Sequence, residues 1–173
     1  MATDVRSFVD LRVFAADPPT GGLLDTGQIL PASAGPVTIS AIRLAGGGPV
    51  ARIEADMFVF VLSGSLAIDG ETYAANRSVV LPRGIAFDWQ AGDDTRVIRI
   101  ACEGAGSAAT TGPVPIDEDA ALVPSGAPLA ELLVGPTPSC RNHTDFLSPS
   151  GEFIGGTWDS TPYHRLPMRY RHY

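Results

Sequence analysis

Between Val37 and Ala101 no apolar run is long enough for a buried helix before a turn signal cuts it. VTISAIRL from Val37, MFVFVL from Met57, SLAI from Ser65, SVVL from Ser78 and TRVIRIA from Thr95 are rich in Val, Ile and Phe. Ser63-Gly64, Asn76-Arg77, Pro82-Arg83-Gly84 and Gly92-Asp93-Asp94 interrupt them and leave segments of strand length. Asp69-Gly70, between SLAI and ETYA, is the sharpest of these signals, because both central residues of a type I′ turn need positive φ. An all-β chain with little helix is predicted, with a tight hairpin at Asp69-Gly70.

The bulk numbers set the scale. At 173 residues, with 45% hydrophobic and 18% charged side chains, the chain has material for one well-packed core but is short for two ordinary domains. A formal charge of -7 sets the overall field against a phosphate backbone, so nucleic acid is not expected as a partner. All 12 basic side chains are arginine, which excludes Schiff-base and P-loop lysine chemistry. The longest apolar candidate, Met57 to Leu62, is too short to span a bilayer, so no membrane partner is expected. Cys102 and Cys140 suggest neither a disulfide framework nor a zinc ribbon, and MATDVRSFVDLR lacks the apolar core of a signal peptide. A reducing cytoplasm is the expected location.

Composition changes from Glu103 to Pro128, where Gly, Ala, Ser, Thr and Pro surround an acidic patch at Asp117-Glu118-Asp119. The expected organisation is a barrel over residues 1–104, a linker over 105–128 and a C-terminal extension over 129–173. Within the extension, LAELLVG from Leu129 and GEFIGGTW from Gly151 are predicted strands. VTISAIRLAGGGPVARIEADMF and GEFIGGTWDSTPYHRLPMRYRHY also align weakly at an offset of about 115 residues, a period that suits duplication.

DMFVFVLSGSLAIDGETYAANRSVVLPRGIAFDW resembles the cupin superfamily: an acidic and aromatic strand, Leu-x-Gly, a hairpin, a polar turn and Pro-x-Gly. It is most similar to the subgroup of ureidoglycine aminohydrolase-like and ethanolamine-utilisation cupins, with Met57-Phe58 and Trp89 in the places of that subgroup's Glu-Phe and tryptophan. SPSGEFIGGTWDSTPYHRLPMRYRHY from Ser148 resembles the opening of a second barrel in two-barrel members. The resemblance implies a cupin-type β-barrel (double-stranded β-helix, or jelly roll) followed by a partial second cupin repeat.

Metal-dependent cupins carry a His-x-His pair and a Glu on one strand region and a last His two residues after Pro-x-Gly. On this sequence the resemblance sets the pair on Ala51 and Ile53, the Glu on Met57 and the last His on Phe87. None of these side chains binds a hard cation, so no metal and no cofactor is expected. If those positions point inward, alternation sends Val59, Val61 and Trp89 inward as well, giving an apolar interior that is self-filled or binds something greasy. Phe58, Phe60 and Leu62 then face outward and need cover from another sheet, the C-terminal segment or a second subunit, and a homodimer is expected.

Among polar residues, Arg43, Arg52, Glu54, Asp56 and Arg99 stand nearest the expected barrel mouth. An arginine there could hold a carboxylate in a bidentate fork; surface ion pairs are the plainer interpretation. The candidate ligand pocket is Arg43, Arg52, Ile53, Met57, Val59, Phe87, Trp89 and Arg99. Asp88 would need a raised pKa to act as an acid or base, and alternation turns it away from the pocket. Cys140, His143, His164 and His172 could suggest zinc, but their spacing matches no compact motif, so a cysteine and unrelated histidines are preferred. Tyr163, Arg165, Tyr170, Arg171 and Tyr173 could stack on a ring, and Trp158 could serve as a platform; barrel wall and interface are the plainer roles.

The function expected from the sequence is that of a metal-independent cupin that binds a small organic molecule, or that forms the structural and dimerising half of a two-barrel protein. The alternative is an enzyme of ureidoglycine aminohydrolase-like type whose catalysis resides in a second barrel. Whether the chain is itself an enzyme is left open.

Overall fold

The computed structural model describes residues 9–31, 35–104 and 112–166. A short helix α1 (Leu11–Phe14) precedes β1 (Thr20–Gly21), β2 (Gln28–Ile29), β3 (Val37–Leu44), β4 (Gly47–Val50), β5 (Asp56–Ser63), β6 (Ser65–Ile68) and β7 (Glu71–Ala74). Then follow β8 (Ser78–Leu81), β9 (Phe87–Ala91), β10 (Arg96–Cys102), β11 (Val114–Pro115), β12 (Val123–Ser125), a 3-10 turn at Ala130–Leu132, β13 (Cys140–Leu147) and β14 (Ile154–Ser160). One sheet has the order β1-β3-β10-β5-β8-β11, with β2 also on β3; a second runs β4-β9-β6-β7; a third runs β12-β13-β14. From β3 to β10 the chain passes repeatedly between the first two sheets, which is jelly-roll connectivity.

Alternation decides which side chains lie between those two sheets. Ile42, Leu44, Val59, Val61, Val79, Leu81 and Val97 come from the larger sheet, and Leu66, Ile68, Tyr73 and Phe87 from the smaller, into one buried cluster. The Asp69-Gly70 turn that fixes the β6–β7 register has φ of 49° and 85°, as a type I′ turn requires. Asp69 also ties this turn to β9: its Oδ1 accepts the Asp88 N–H at 2.8 Å.

The outer face of the larger sheet is apolar and is covered from within the chain. Ala41 and Ile98 pack with Ala15, Leu11 and Phe14 of the α1 region, and Leu62 joins them. Asp10 caps α1 by accepting from the Arg12 and Val13 N–H groups at 2.9 and 3.2 Å. Phe58 and Val80 pack with Val114, Ile116, Phe146 and Phe153, so the β13–β14 hairpin covers the other part of this face.

Two local expectations change. LAELLVG is not a strand: Ala130–Leu132 forms a 3-10 turn, and only Leu133 makes an isolated bridge, to Arg165. Ala, Glu and Leu are strong helix formers, and a short apolar run does not distinguish strand from helical turn. Inside the segment read as linker, Val114 and Pro115 pair with Val80 and Val79 of β8, and Val123–Ser125 pairs with β13. The GEFIGGTW strand begins at Ile154. Of the C-terminal tail, Tyr170, Arg171, His172 and Tyr173 lie outside the described residues.

Candidate functional site

The one charged side chain on the inner face of β10 is Arg99. Val97, two residues earlier, belongs to the buried interior, and Arg99 stands opposite Val59 of β5 and Ser40 of β3. Only 4% of Arg99 is exposed. Its Nε donates to Ser40 Oγ at 3.2 Å, and its Nη1 donates to the Leu23 carbonyl. Nη2 donates to the carbonyls of Asp25 at 2.6 Å and Thr26 at 3.0 Å. No carboxylate forms a salt bridge with it among the described residues. Burial pulls the guanidinium below its ordinary pKa, and attraction to the Asp25 carboxylate opposes that pull.

The three carbonyls come from the loop between β1 and β2, both of which pair with β3. This strap crosses from the β3 edge toward the smaller sheet. Leu23, 1% exposed, joins the interior cluster, and a Cβ at Gly22 would stand 3.7 Å from Cζ2 of Trp89 on β9. Gly27 has φ of +69°, and a Cβ there would lie 2.6 Å from the Ala41 carbonyl and 3.0 Å from Arg99 Nη2, so glycine is required. The strap closes on itself through the Gly22 N–H to Asp25 Oδ2 at 2.7 Å and the Asp25 N–H to the Gly22 carbonyl at 3.1 Å.

The structure brings Ile53, Met57, Val59, Phe87, Trp89 and Arg99 to the interior. It sets Arg43 and Arg52 elsewhere. Arg43 follows Ala41 on the outer side of β3 and pairs with Asp94 and, at 3.5 Å, with Asp17. Arg52 pairs with Glu54 at 3.1 Å, both well exposed. Asp56 is buried and braces a turn, its Oδ1 accepting the Arg83 N–H at 2.8 Å. Asp88 is exposed.

A metal does not fit the positions where the cupin pattern would hold one. Ala51 is exposed, Ile53 and Phe87 are buried in hydrocarbon, and Met57 offers only a soft thioether. Among the described residues no cluster of His, Cys, Asp and Glu could hold an ion. Cys140 is buried, and His143 Nε2 lies 3.2 Å from Asp145 Oδ1. His164 is exposed, with its carbonyl accepting the Val134 N–H. Trp158 is 54% exposed on the C-terminal sheet, Tyr163 is half-buried, and Arg165 bridges Leu133.

No family model and no curated protein matches the sequence. Among solved structures, the chain is similar to a protein of unknown function of the DUF861 family from Pseudomonas syringae pv. tomato str. DC3000, with a TM-score of 0.72 and 23% identity. The fold is a cupin-type β-barrel. The match covers 78% of this chain and 60% of that one, so the chain spans less than two thirds of the other protein. An IolB-like protein from Salmonella typhimurium LT2 matches at 15% identity over 61% of this chain and 43% of its own, with a TM-score of 0.37. The SPY1581 protein of unknown function from Streptococcus pyogenes matches at 22% identity, covering 57% of this chain and 89% of its own, also at 0.37. Scores that low carry no weight for this barrel.

Proposed function

We propose that this chain is a metal-independent cupin barrel that binds a small organic molecule at the inner face of β3 and β10. The observation that carries this is Arg99, a buried guanidinium whose partners are all neutral oxygens. Arg99 holds the strap, but burying a full charge costs more than neutral donors would for that task, which favours a further use for the charge. Recognition of a polar ligand end inside an apolar cavity is the use to which such a residue is suited. Two buried, unpaired cysteines accord with a reducing compartment, and the cytoplasm is the location we propose. Among the described residues no helix is long and apolar enough to cross a membrane.

A second role is favoured by the interior packing: Val59, Val61, Leu66, Val79, Leu81 and Val97 are each 0% exposed, so the barrel fills itself. In that role the chain is the structural and dimerising half of a two-barrel protein, with any ureidoglycine aminohydrolase-like chemistry in another barrel. Elemental and native mass spectrometry of the purified protein separate the two. The binding role predicts near-zero metal and a co-purified organic mass. A bare polypeptide mass at twice the chain's value supports the dimerising role, and about one metal per chain overturns both.

A further inference from the structure

We propose that the Gly21–Gly27 strap is a displaceable plug over a carboxylate site built on Arg99, and that the ligand is a small branched aliphatic carboxylate. This rests on the small-molecule role proposed above and names its ligand class. Arg99 is now held by the Leu23, Asp25 and Thr26 carbonyls and the Ser40 hydroxyl. Those carbonyls offer the guanidinium the geometry of oxygen acceptors without the charge. A carboxylate on the same fork adds the attraction of a full negative charge, in bidentate geometry, to hydrogen bonds that the guanidinium already makes charge-assisted. The buried cation thus gains a directly bonded counter-ion, whereas in the closed strap the Asp25 carboxylate attracts it from a distance while accepting the Gly22 N–H.

The strap itself outlines the ligand. Leu23 delivers a carbonyl oxygen to Nη1 and an isobutyl side chain to the hydrophobic interior. Replacing its carbonyl by a carboxylate, with the carbons to the side-chain tip retained, gives 4-methylpentanoate. Gly21 and Gly22 at one end and Gly27 at the other give the strap backbone freedom at both of its roots. Between them, the Gly22–Asp25 hydrogen bonds are internal and move with the turn. With the Gly21 carbonyl remaining on the Ala45 N–H at 3.0 Å as the strap's root, what a ligand must replace is the grip of Arg99 and the burial of Leu23, and 4-methylpentanoate supplies both.

The test is hydrogen exchange of the full chain titrated with 4-methylpentanoate, with 4-methylpentan-1-ol as the uncharged control. The acid is expected to slow exchange in β3 and β10 while speeding it across Gly21–Gly27; the alcohol does neither. Leu23→Ala, which weakens the plug, is expected to bind the acid about tenfold more tightly, because less of the apparent affinity is lost to the closed state. Binding with strap exchange unchanged or slowed overturns the proposal, as does equal binding of the alcohol. If neither form binds the acid but native mass spectrometry reveals another organic mass, this inference falls and the small-molecule role stands. A bare mass together with no binding removes both.

Discussion

Tyr73 places a phenol in the barrel core opposite Leu66, with 4% of the residue exposed; among the described residues no acceptor meets its hydroxyl in good hydrogen-bond geometry, although the Glu71 carboxylate is close enough to interact with it. Burial, then the nearby Glu71 carboxylate, raises its pKa above the ordinary tyrosine value. An unsatisfied buried hydroxyl costs about 1–3 kcal/mol, so Tyr73→Phe is expected to stabilise the protein by about 1 kcal/mol in a denaturant titration. The pH dependence has a definite sign. The folded-state pKa is raised, so the unfolded chain ionises first, and stability falls as pH rises above about 10. In Tyr73→Phe this part of the alkaline loss disappears; an unchanged alkaline limb would assign it to Cys102, whose thiol is also raised, chiefly by burial. Arg99 and Tyr73 show what a strand pattern conveys about single residues. The sequence grouped Arg99 with the polar residues nearest the barrel mouth, but its partners lie as many as 76 positions earlier, in a Gly-rich loop with no strand signal of its own. Gly21-Gly22 and Gly27 around Leu23-Leu24 were the available hint, and it becomes specific only when β1 and β2 are seen to share β3.

The β13–β14 hairpin docks on the barrel through a glycine. A Cβ on Gly155 would meet Val80 Cγ2 at 2.7 Å and Ile116 Cδ1 at 3.3 Å, and Phe146 packs in the same place. Gly155→Val is expected to lift the hairpin and cost about 1–3 kcal/mol, the usual penalty of overpacking. Limited proteolysis should then cut between Cys140 and Ser160 faster than in the parent chain, and an unchanged digestion rate would show that the hairpin does not depend on this contact. β14 was legible because apolar and aromatic residues punctuate GEFIGGTW. β13 was not, since Arg141, Asn142, His143, Thr144 and Asp145 are polar on both faces and a bulge after Thr144 breaks the alternation. Arg141 and Asp159 pair across the two strands, and their hydrogen bond holds the Asp159 carboxyl below its usual range. Strand pairing of that kind comes from side chains of opposite charge on neighbouring strands, which a one-dimensional hydropathy pattern does not register.

At the scale of the whole molecule, Phe58, Phe60 and Leu62 indicated from sequence that the outer face of the larger sheet needs a cover. The cover comes from opposite ends of the chain: α1 lies over the Ala41 and Ile98 region, and the C-terminal hairpin over Phe58 and Val80. Neither was legible in detail, because α1 is four residues long and the hairpin is polar along β13. The inner core between the two barrel sheets draws its residues from Leu23 to Val97, so it does not need the hairpin to close. Ending the chain after Gly112 removes Val114, Ile116, Phe146 and Phe153 together, leaving Phe58 and Val80 in water beside the newly unpaired edge of β8. An apolar patch next to a free strand edge is a template for association. The shortened chain is expected to keep its β-sheet circular dichroism, to melt at a lower temperature, and to grow in mass with concentration in light scattering beyond whatever assembly the full chain forms. A shortened chain with unchanged melting temperature and a concentration-independent mass would mean that the hairpin rests on the barrel without stabilising it, and that the hydrophobic cover comes from elsewhere.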